Sequence, residues 1–277
     1  MKTREEILQE RKIWYSKTFI QFELCKSLLH RELSFLTFKG ENKKTTVRYL
    51  IAFNIDYLKK HFLAYGFNEK LLNMYQSVAL LKNIPIFSYS RNRTKDKKYI
   101  EFNENYENFV IGFYLFLDFD GKENFDKCLQ EVKEMKKIFD KNKIPYYILN
   151  SSFTGFHFHI PYEYMPNFDK NTIPILNEII SNIKGIYEFE TLDDSVCDLK
   201  RLCKVSYAYS CDGSICLPLN DFQIENFNKE NVEMKNVFNQ IIIKNRSNLL
   251  RKYNLQNDEL KKNVIKFLNE YTKENLK

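Results

Sequence analysis

Apolar positions along the chain change spacing several times, and each change marks an element. From residue 3 to about residue 30 they recur at helical spacing, through Ile7, Ile13, Trp14, Phe19, Phe22, Leu24, Leu28 and Leu29. Thr3 followed by Glu6 is a capping-box pattern for the start of that helix. Polar and apolar residues then alternate from Glu32 to Phe35 and again from Leu36 to Phe38, which predicts a strand with one slip. Lys39–Lys43 supplies a polar turn, and Thr46–Phe53 predicts a second strand, so the pair reads as a hairpin carrying Glu32 and Arg48. Residues 55–65 and 68–82 read as helical or mixed segments.

The next signal is stronger. Phe113-Tyr-Leu-Phe-Leu117 is a continuous apolar run that ends in Asp118-Phe119-Asp120-Gly121, the pattern of a buried strand. An amphipathic helix follows over 122–142, its buried stripe marked by Phe125, Leu129, Val132, Met135, Ile138 and Phe139. Strands are expected at 144–149 and 155–160, the second with His157 and His159 on one face. A second helix is expected over 171–186, capped by Asn171 or Thr172 and ended at Gly185. Strand, helix, two strands and helix is the order of an RNA-recognition-like or ferredoxin-like α+β unit. Beyond about residue 228, Val237, Phe238, Ile241, Ile242, Leu249 and Leu250 mark two further helices.

Composition adds modest constraints. The 277 residues carry a net charge of +7, which favours a polyanionic partner, nucleic acid first. The abundance of Lys, Asn, Ile, Phe and Tyr, which an AT-rich genome favours, weakens that inference. The basic stretch 88–98 reads first as a solvated loop and second as a phosphate-contacting one. None of the six cysteines forms a C-x-x-C pair, and the spacing of Cys197, Cys203, Cys211 and Cys216 fits no zinc pattern, so zinc is not expected. The charged N-terminus lacks a secretory apolar region, and no apolar run is long enough for a bilayer. The expectation is a cytoplasmic protein with reduced thiols and no membrane partner.

Three groups carry the candidate chemistry. Asp118 and Asp120 lie two apart on a strand and so point to one side. Paired carboxylates repel unless a cation sits between them or one takes up a proton, and a hard ion such as Mg²⁺ or Mn²⁺ suits oxygen donors. Ser151-Ser152-Phe153-Thr154-Gly155-Phe156-His157 is a small, polar turn in which hydroxyls and backbone N–H groups can meet a phosphate. Asp193 and Asp194, followed by Lys200, Arg201 and Lys204, offer a third carboxylate and then cations for a triphosphate. That inventory fits two-metal nucleotidyl transfer. An apolar strand ending in Asp-x-Asp-Gly also resembles haloacid-dehalogenase-like phosphatases. Against that reading, Lys122 follows the glycine where that family has Thr or Val, and over a hundred residues precede the motif.

In order along residues 9–220 the chain resembles the archaeo-eukaryotic primases, above all their catalytic small subunit. The similar segments are Gln9-Glu10-Arg11-Lys12 with Trp14-Tyr15-Ser16-Lys17; Arg31-Glu32-Leu33-Ser34-Phe35 with Val47-Arg48-Tyr49 and Phe53; and Met74–Ala79. Leu117-Asp118-Phe119-Asp120 is similar to the acidic motif, and Ser151-x-x-x-Gly155-x-His157 to the Ser-Gly-x-x-Gly-x-His motif. Asp193-x-x-Val196 with Arg201-Leu202, Lys204, Gly213 and Pro218 resembles the third motif. Ser152 and Thr154 stand where the family has glycine and a basic residue, Ser210 stands near its usual histidine, and its zinc-binding insertion is missing.

The resemblance implies an archaeo-eukaryotic primase catalytic fold with an RNA-recognition-motif-like palm over 1–225 and a helical extension over 226–277. It implies a primase-polymerase that builds and extends primers from nucleoside triphosphates on single-stranded DNA with two Mg²⁺ or Mn²⁺ ions. Asp118, Asp120 and Asp193 would bind the metals, with Asp194 the alternative third ligand. Ser151, Ser152, His157, Arg201 and Lys204 would hold the triphosphate, and Glu32 and Arg48 a nucleotide during initiation. The departures favour a stand-alone enzyme of a mobile element or defence system, with an accessory subunit as a further possible partner. A gap-filling repair polymerase and a non-catalytic nucleic-acid-binding subunit are the alternatives. Ribo- versus deoxyribonucleotide preference is not legible in the sequence.

Overall fold

The capping box at Thr3 and Glu6 starts the first helix, α1 (Arg4–Tyr15), with both reciprocal hydrogen bonds formed. The computed structural model describes residues 2–39, 43–50, 52, 54–67, 71–82, 84, 95–239, 250 and 253–272. The helix expected over 3–30 is two, because the chain turns at Ser16 and Lys17 before α2 (Thr18–Leu28). Lys17 is extended there, and Ser16 Oγ donates to Ile13 O at 2.8 Å. The turn lets Trp14 bury completely while its Nε1 donates to Tyr207 O at 2.8 Å.

The hairpin is β1 (Leu33–Lys39) and β2 (Lys43–Leu50), antiparallel as the alternation requires. The expected slip falls in an irregular stretch: the β1 register shifts between Leu33 and Phe35 against β2, and between Leu36 and Thr37 against the strand on its other edge. A short helix, α3 (Ile55–His61), follows. Within 68–82, read from the sequence as helical or mixed, the described residues form two strands, β3 (Leu71–Ser77) and β4 (Ala79–Leu81). β3 is hydrogen-bonded on both edges, by β1 and by β10 (Leu202–Lys204), and its burial does not alternate: Leu71, Met74, Gln76 and Ser77 are buried. The expected turn residues 40–42, together with Ile51, Phe53, residues 88–94, Ile241, Ile242 and Leu249, lie outside the described residues. Lys97 and Lys98, at the end of the expected basic loop, instead open α4 (Lys97–Glu104), capped by Asp96.

β5 (Val110–Phe113) pairs with β4 and leads into the palm. The palm runs β6 (Leu115–Asp120), α5 (Phe125–Lys141), β7 (Tyr147–Asn150), β8 (Gly155–Ile160), α6 (Thr172–Tyr187) and β9 (Leu192–Asp193). With β11 (Pro218–Leu219) on one edge, the strand order is β11-β7-β8-β6-β9, the ferredoxin-like arrangement read from the sequence. Gly185 does not end α6. The helix runs on to Tyr187 and stops at Glu188, which takes the left-handed conformation (φ 54°) that lets Phe189 N reach Lys184 O.

α7 (Asp221–Glu225), α8 (Met234–Asn239) and α9 (Asn257–Glu270) complete the described elements. α9 packs on the palm helices: the Phe267 ring meets Phe139, Tyr271 hydroxyl pairs with Tyr187 at 2.7 Å, and Asn182 donates to Tyr271 O at 2.7 Å. No helix among the described residues is long and apolar enough to cross a membrane.

The centre of the palm core is Phe158, fully buried against the rings of Phe119, Phe139 and Tyr146. Phe158→Ala is expected to cost about 3–5 kcal/mol, measured by urea unfolding.

Candidate active site

β6 lies between β8 and β9, and the register puts Asp118 opposite His157 on one side and Asp193 on the other. Residues in one row of a sheet share a face, so the backbone alone brings these three side chains together. His157 Nε2 approaches Asp118 Oδ1 at 3.4 Å. Asp193 Oδ1 is taken up by the Ser195 N–H at 2.9 Å and the Ser195 hydroxyl at 2.6 Å. The remaining oxygens, Asp118 Oδ2 and Asp193 Oδ2, converge on a single nitrogen, Arg201 Nη2, at 3.6 and 3.4 Å. Arg201 immediately precedes β10, so the guanidinium comes from the other sheet and the site lies where the two sheets meet.

Burial works to raise the Asp118 carboxyl. His157, Arg201 and Lys122 outweigh it and hold the group below the usual carboxylate range. Asp120 stands apart from the row: its carboxylate bonds Lys122 Nζ and accepts the Lys122 N–H at 3.2 Å. Asp194 pairs with Lys184 on α6 at 3.2 Å, away from Asp118. Lys204 donates to Ser210 Oγ at 3.2 Å, and its neighbour across the ladder is Tyr75.

The turn after β7 abuts the acidic end of β6. Ser151 N donates to Gly155 O at 2.7 Å, and Gly121 N donates to Thr154 O at 2.9 Å. A Cβ on Gly155 would lie 2.4 Å from Ser151 Oγ, and one on Gly121 would lie 2.6 Å from Thr154 O. Both glycines therefore serve close approach. Buried Asn150 fixes the turn from behind, donating to Ile215 O at 2.8 Å and accepting from Leu217 N at 2.7 Å. Ser151 is mostly buried, and Ser152 Oγ accepts the Thr154 N–H at 3.2 Å.

Glu32 and Arg48 are brought together, but behind the row rather than in it. Glu32 is fully buried and takes two hydrogen bonds from Arg48, Nε to Oε1 at 2.8 Å and Nη2 to Oε2 at 3.1 Å. The same Nη2 donates to Lys200 O at 2.8 Å, so the pair grips the backbone next to Arg201.

Sequence reasoning missed Glu131. This α5 residue is buried and accepts the Glu190 N–H at 2.8 Å, the Thr191 N–H at 2.9 Å and the Thr191 hydroxyl at 2.6 Å. Thr191 O in turn accepts the Asp120 N–H at 2.9 Å, immediately before the strand that carries Asp193. A signal existed: Glu131 falls inside the stripe between Cys128 and Met135, where a carboxylate is out of place. Tyr75 was also missed as a site neighbour. Burial pushes its phenol up and Asp118 adds to the shift, while Asn73 and Arg201 oppose it.

Among the described residues no three His, Cys, Asp or Glu side chains form a ready cage. The two converging oxygens do fit an ion that takes one or two carboxylates and completes its shell with substrate phosphates, which is the habit of Mg²⁺.

Neither a family model nor a curated protein matches the sequence. Among solved structures, the chain is similar to the polymerase domain of Mycobacterium tuberculosis ligase D, solved in complex with DNA, with a TM-score of 0.53 at 8% identity. The match covers 89% of this chain and 93% of that one. Primase RepB′ matches with a TM-score of 0.41 at 5% identity, over 80% of this chain and 63% of that one. The chain therefore shares its α+β fold, with the ferredoxin-like sheet and its flanking helices, with that polymerase domain.

Two outcomes are expected. Glu131→Ala leaves three donors without their acceptor and should cost about 3 kcal/mol, read by urea unfolding. Asp118, held below its usual range, contributes stability that is full above about pH 5 and lost as pH falls below about 4. Asp118→Asn should therefore flatten the fall in unfolding free energy between about pH 5.5 and 3, compared with wild type.

Proposed function

We propose that this chain is a divalent-metal-dependent, template-directed nucleotidyltransferase that synthesises and extends primers on single-stranded DNA. The observation that carries the reading is the convergence of Asp118 Oδ2 and Asp193 Oδ2 on one cation, at the centre of a primase-type palm. Asp118 and Asp193 would hold the ions, with Asp120 joining them once released from Lys122. Such ions, when bound, would activate an attacking hydroxyl and neutralise the departing pyrophosphate. Ser151, Ser152 and His157 on one flank, and Arg201 and Lys204 on the other, would bind and orient the triphosphate. Positioning of this kind supplies most of what nucleotidyl transfer needs from a protein.

The net charge of +7 supports a nucleic-acid template as partner. Glu32 and Arg48 take a different place in this proposal from the one the resemblance implied. Their mutual bonds and the grip on Lys200 O make them supports of the Arg201 segment. A stand-alone role in a mobile element or defence system suits the departures in the second and third motifs.

A polymerase that extends primers without starting them is the second reading, favoured by the likeness to the polymerase domain of a DNA ligase. Purified protein, Mg²⁺ or Mn²⁺, an unprimed homopolymer template and each nucleotide class in turn separate the two. De novo products are expected. Products only with an added primer would replace the primase reading by the extension reading, and no product in either setting would remove the enzyme reading. Asp118→Ala should reduce synthesis by at least about a hundredfold, with template binding by gel shift unchanged.

A further inference from the structure

We propose that Arg201 is the resident counter-ion of the Asp118–Asp193 pair, and that it leaves this position for a nucleoside triphosphate when a divalent cation enters. The inference rests on the metal-binding reading above and concerns how the site is kept before substrate arrives.

Two arginines near the site are held in contrasting ways. Arg48 meets Glu32 at 2.8 and 3.1 Å with its fork engaged, and binds Lys200 O as well. Arg201 meets its two carboxylates at 3.6 and 3.4 Å, through one nitrogen. Charge-assisted bonds from guanidinium to carboxylate run about 2.7–2.9 Å, so Arg201 gains Coulomb attraction but not tight hydrogen bonds. Its Nε is buried with no hydrogen-bond partner among the described residues. Leaving a buried donor unmade costs free energy, and a ligand with spare acceptor oxygens on that side would recover it.

The backbone of Arg201, by contrast, is fixed. Arg201 N donates to Asp198 O at 2.9 Å, Arg201 O accepts the Val78 N–H at 3.0 Å, and Arg48 grips the preceding carbonyl. A loosely held head on a fixed base can swing without disturbing the strands that carry the carboxylates. One charge of +1 now sits where an ion of +2 would sit, so the two compete for the same oxygens. A triphosphate offers the displaced guanidinium a bidentate partner. Cation and triphosphate then bind with positive coupling, and the coupling is reciprocal.

The test is Mn²⁺ binding without nucleotide, read from the electron paramagnetic resonance signal of free Mn²⁺. The proteins are wild type, Arg201→Gln, Arg201→Lys and Asp118→Asn. A residue that merely supports the fold, or one that helps hold the metal, gives lower affinity when removed. A counter-ion gives the opposite sign. Arg201→Gln is expected to bind Mn²⁺ about tenfold more tightly than wild type, within the usual range of coupling. Arg201→Lys, which keeps the charge, should return most of the way to wild type, and Asp118→Asn should lose the site. Equal affinity in wild type and Arg201→Gln, with Asp118→Asn still weaker, overturns the counter-ion proposal and leaves the metal site standing. Absence of Asp118-dependent binding in every protein overturns the metal reading and this proposal with it.

Discussion

Two carboxylates placed side by side in one row of a sheet are the constraint around which this fold is arranged. Asp118 on the inner strand β6 and Asp193 on the edge strand β9 are register partners, so their side chains leave the sheet on the same face. Two unit charges about 4 Å apart repel by about 4 kcal/mol at an effective dielectric of 20. The molecule therefore has to place positive charge beside them, and the second sheet delivers it as Arg201. The reach of that one side chain ties the two sheets into a single working unit.

Much of the surrounding structure can be understood as holding the pieces of that row. Glu131 secures the residues just before β9, and Asn150 secures the turn after β7. The Glu32–Arg48 pair secures the backbone that carries Arg201. Each is a buried polar group with its hydrogen bonds formed, which is the condition under which burying it is tolerable. Gly121 and Gly155 let the phosphate-turn candidate approach the end of β6 more closely than any side chain would allow.

How much of this was legible in the sequence follows from which signals are local. The palm was readable because the apolar run at 113–117, the stripe on α5 and the β8 alternation are each local patterns, and their order leaves few topologies. The site's candidate parts were readable as residue types; spacing favoured Asp193 over Asp194, and the fold puts Asp193 opposite Asp118 and Asp194 beside Lys184. The elements misread were those whose character comes from elsewhere. β3 shows no alternation because its burial follows no period of two, with polar Gln76 and Ser77 buried beside each other. α6 passed through Gly185 because its end is set by Glu188 and by the bond from Phe189 to Lys184. The break between α1 and α2 answers to Trp14 reaching Tyr207, nearly two hundred residues away.

Partner assignments inside the site were the least legible, for the same reason. A sequence names Asp120 and Asp118 together because they are two apart on a strand, yet Asp120 is the strand's last residue and their environments diverge. Asp118 lies between two strands and is held by groups on both sides, whereas Asp120 sits at the last position, half-exposed, where Lys122 can fold back onto it. Glu32 and Arg48 look like an accessible pair on a hairpin, yet Glu32 is fully buried and its charge is met by Arg48, itself only partly exposed. In both cases the side chain's nearest opposite charge decides what it can do. For Asp118 and Asp193 that charge is a guanidinium met at 3.6 and 3.4 Å through one nitrogen, and for Glu32 it is one met by two hydrogen bonds at 2.8 and 3.1 Å.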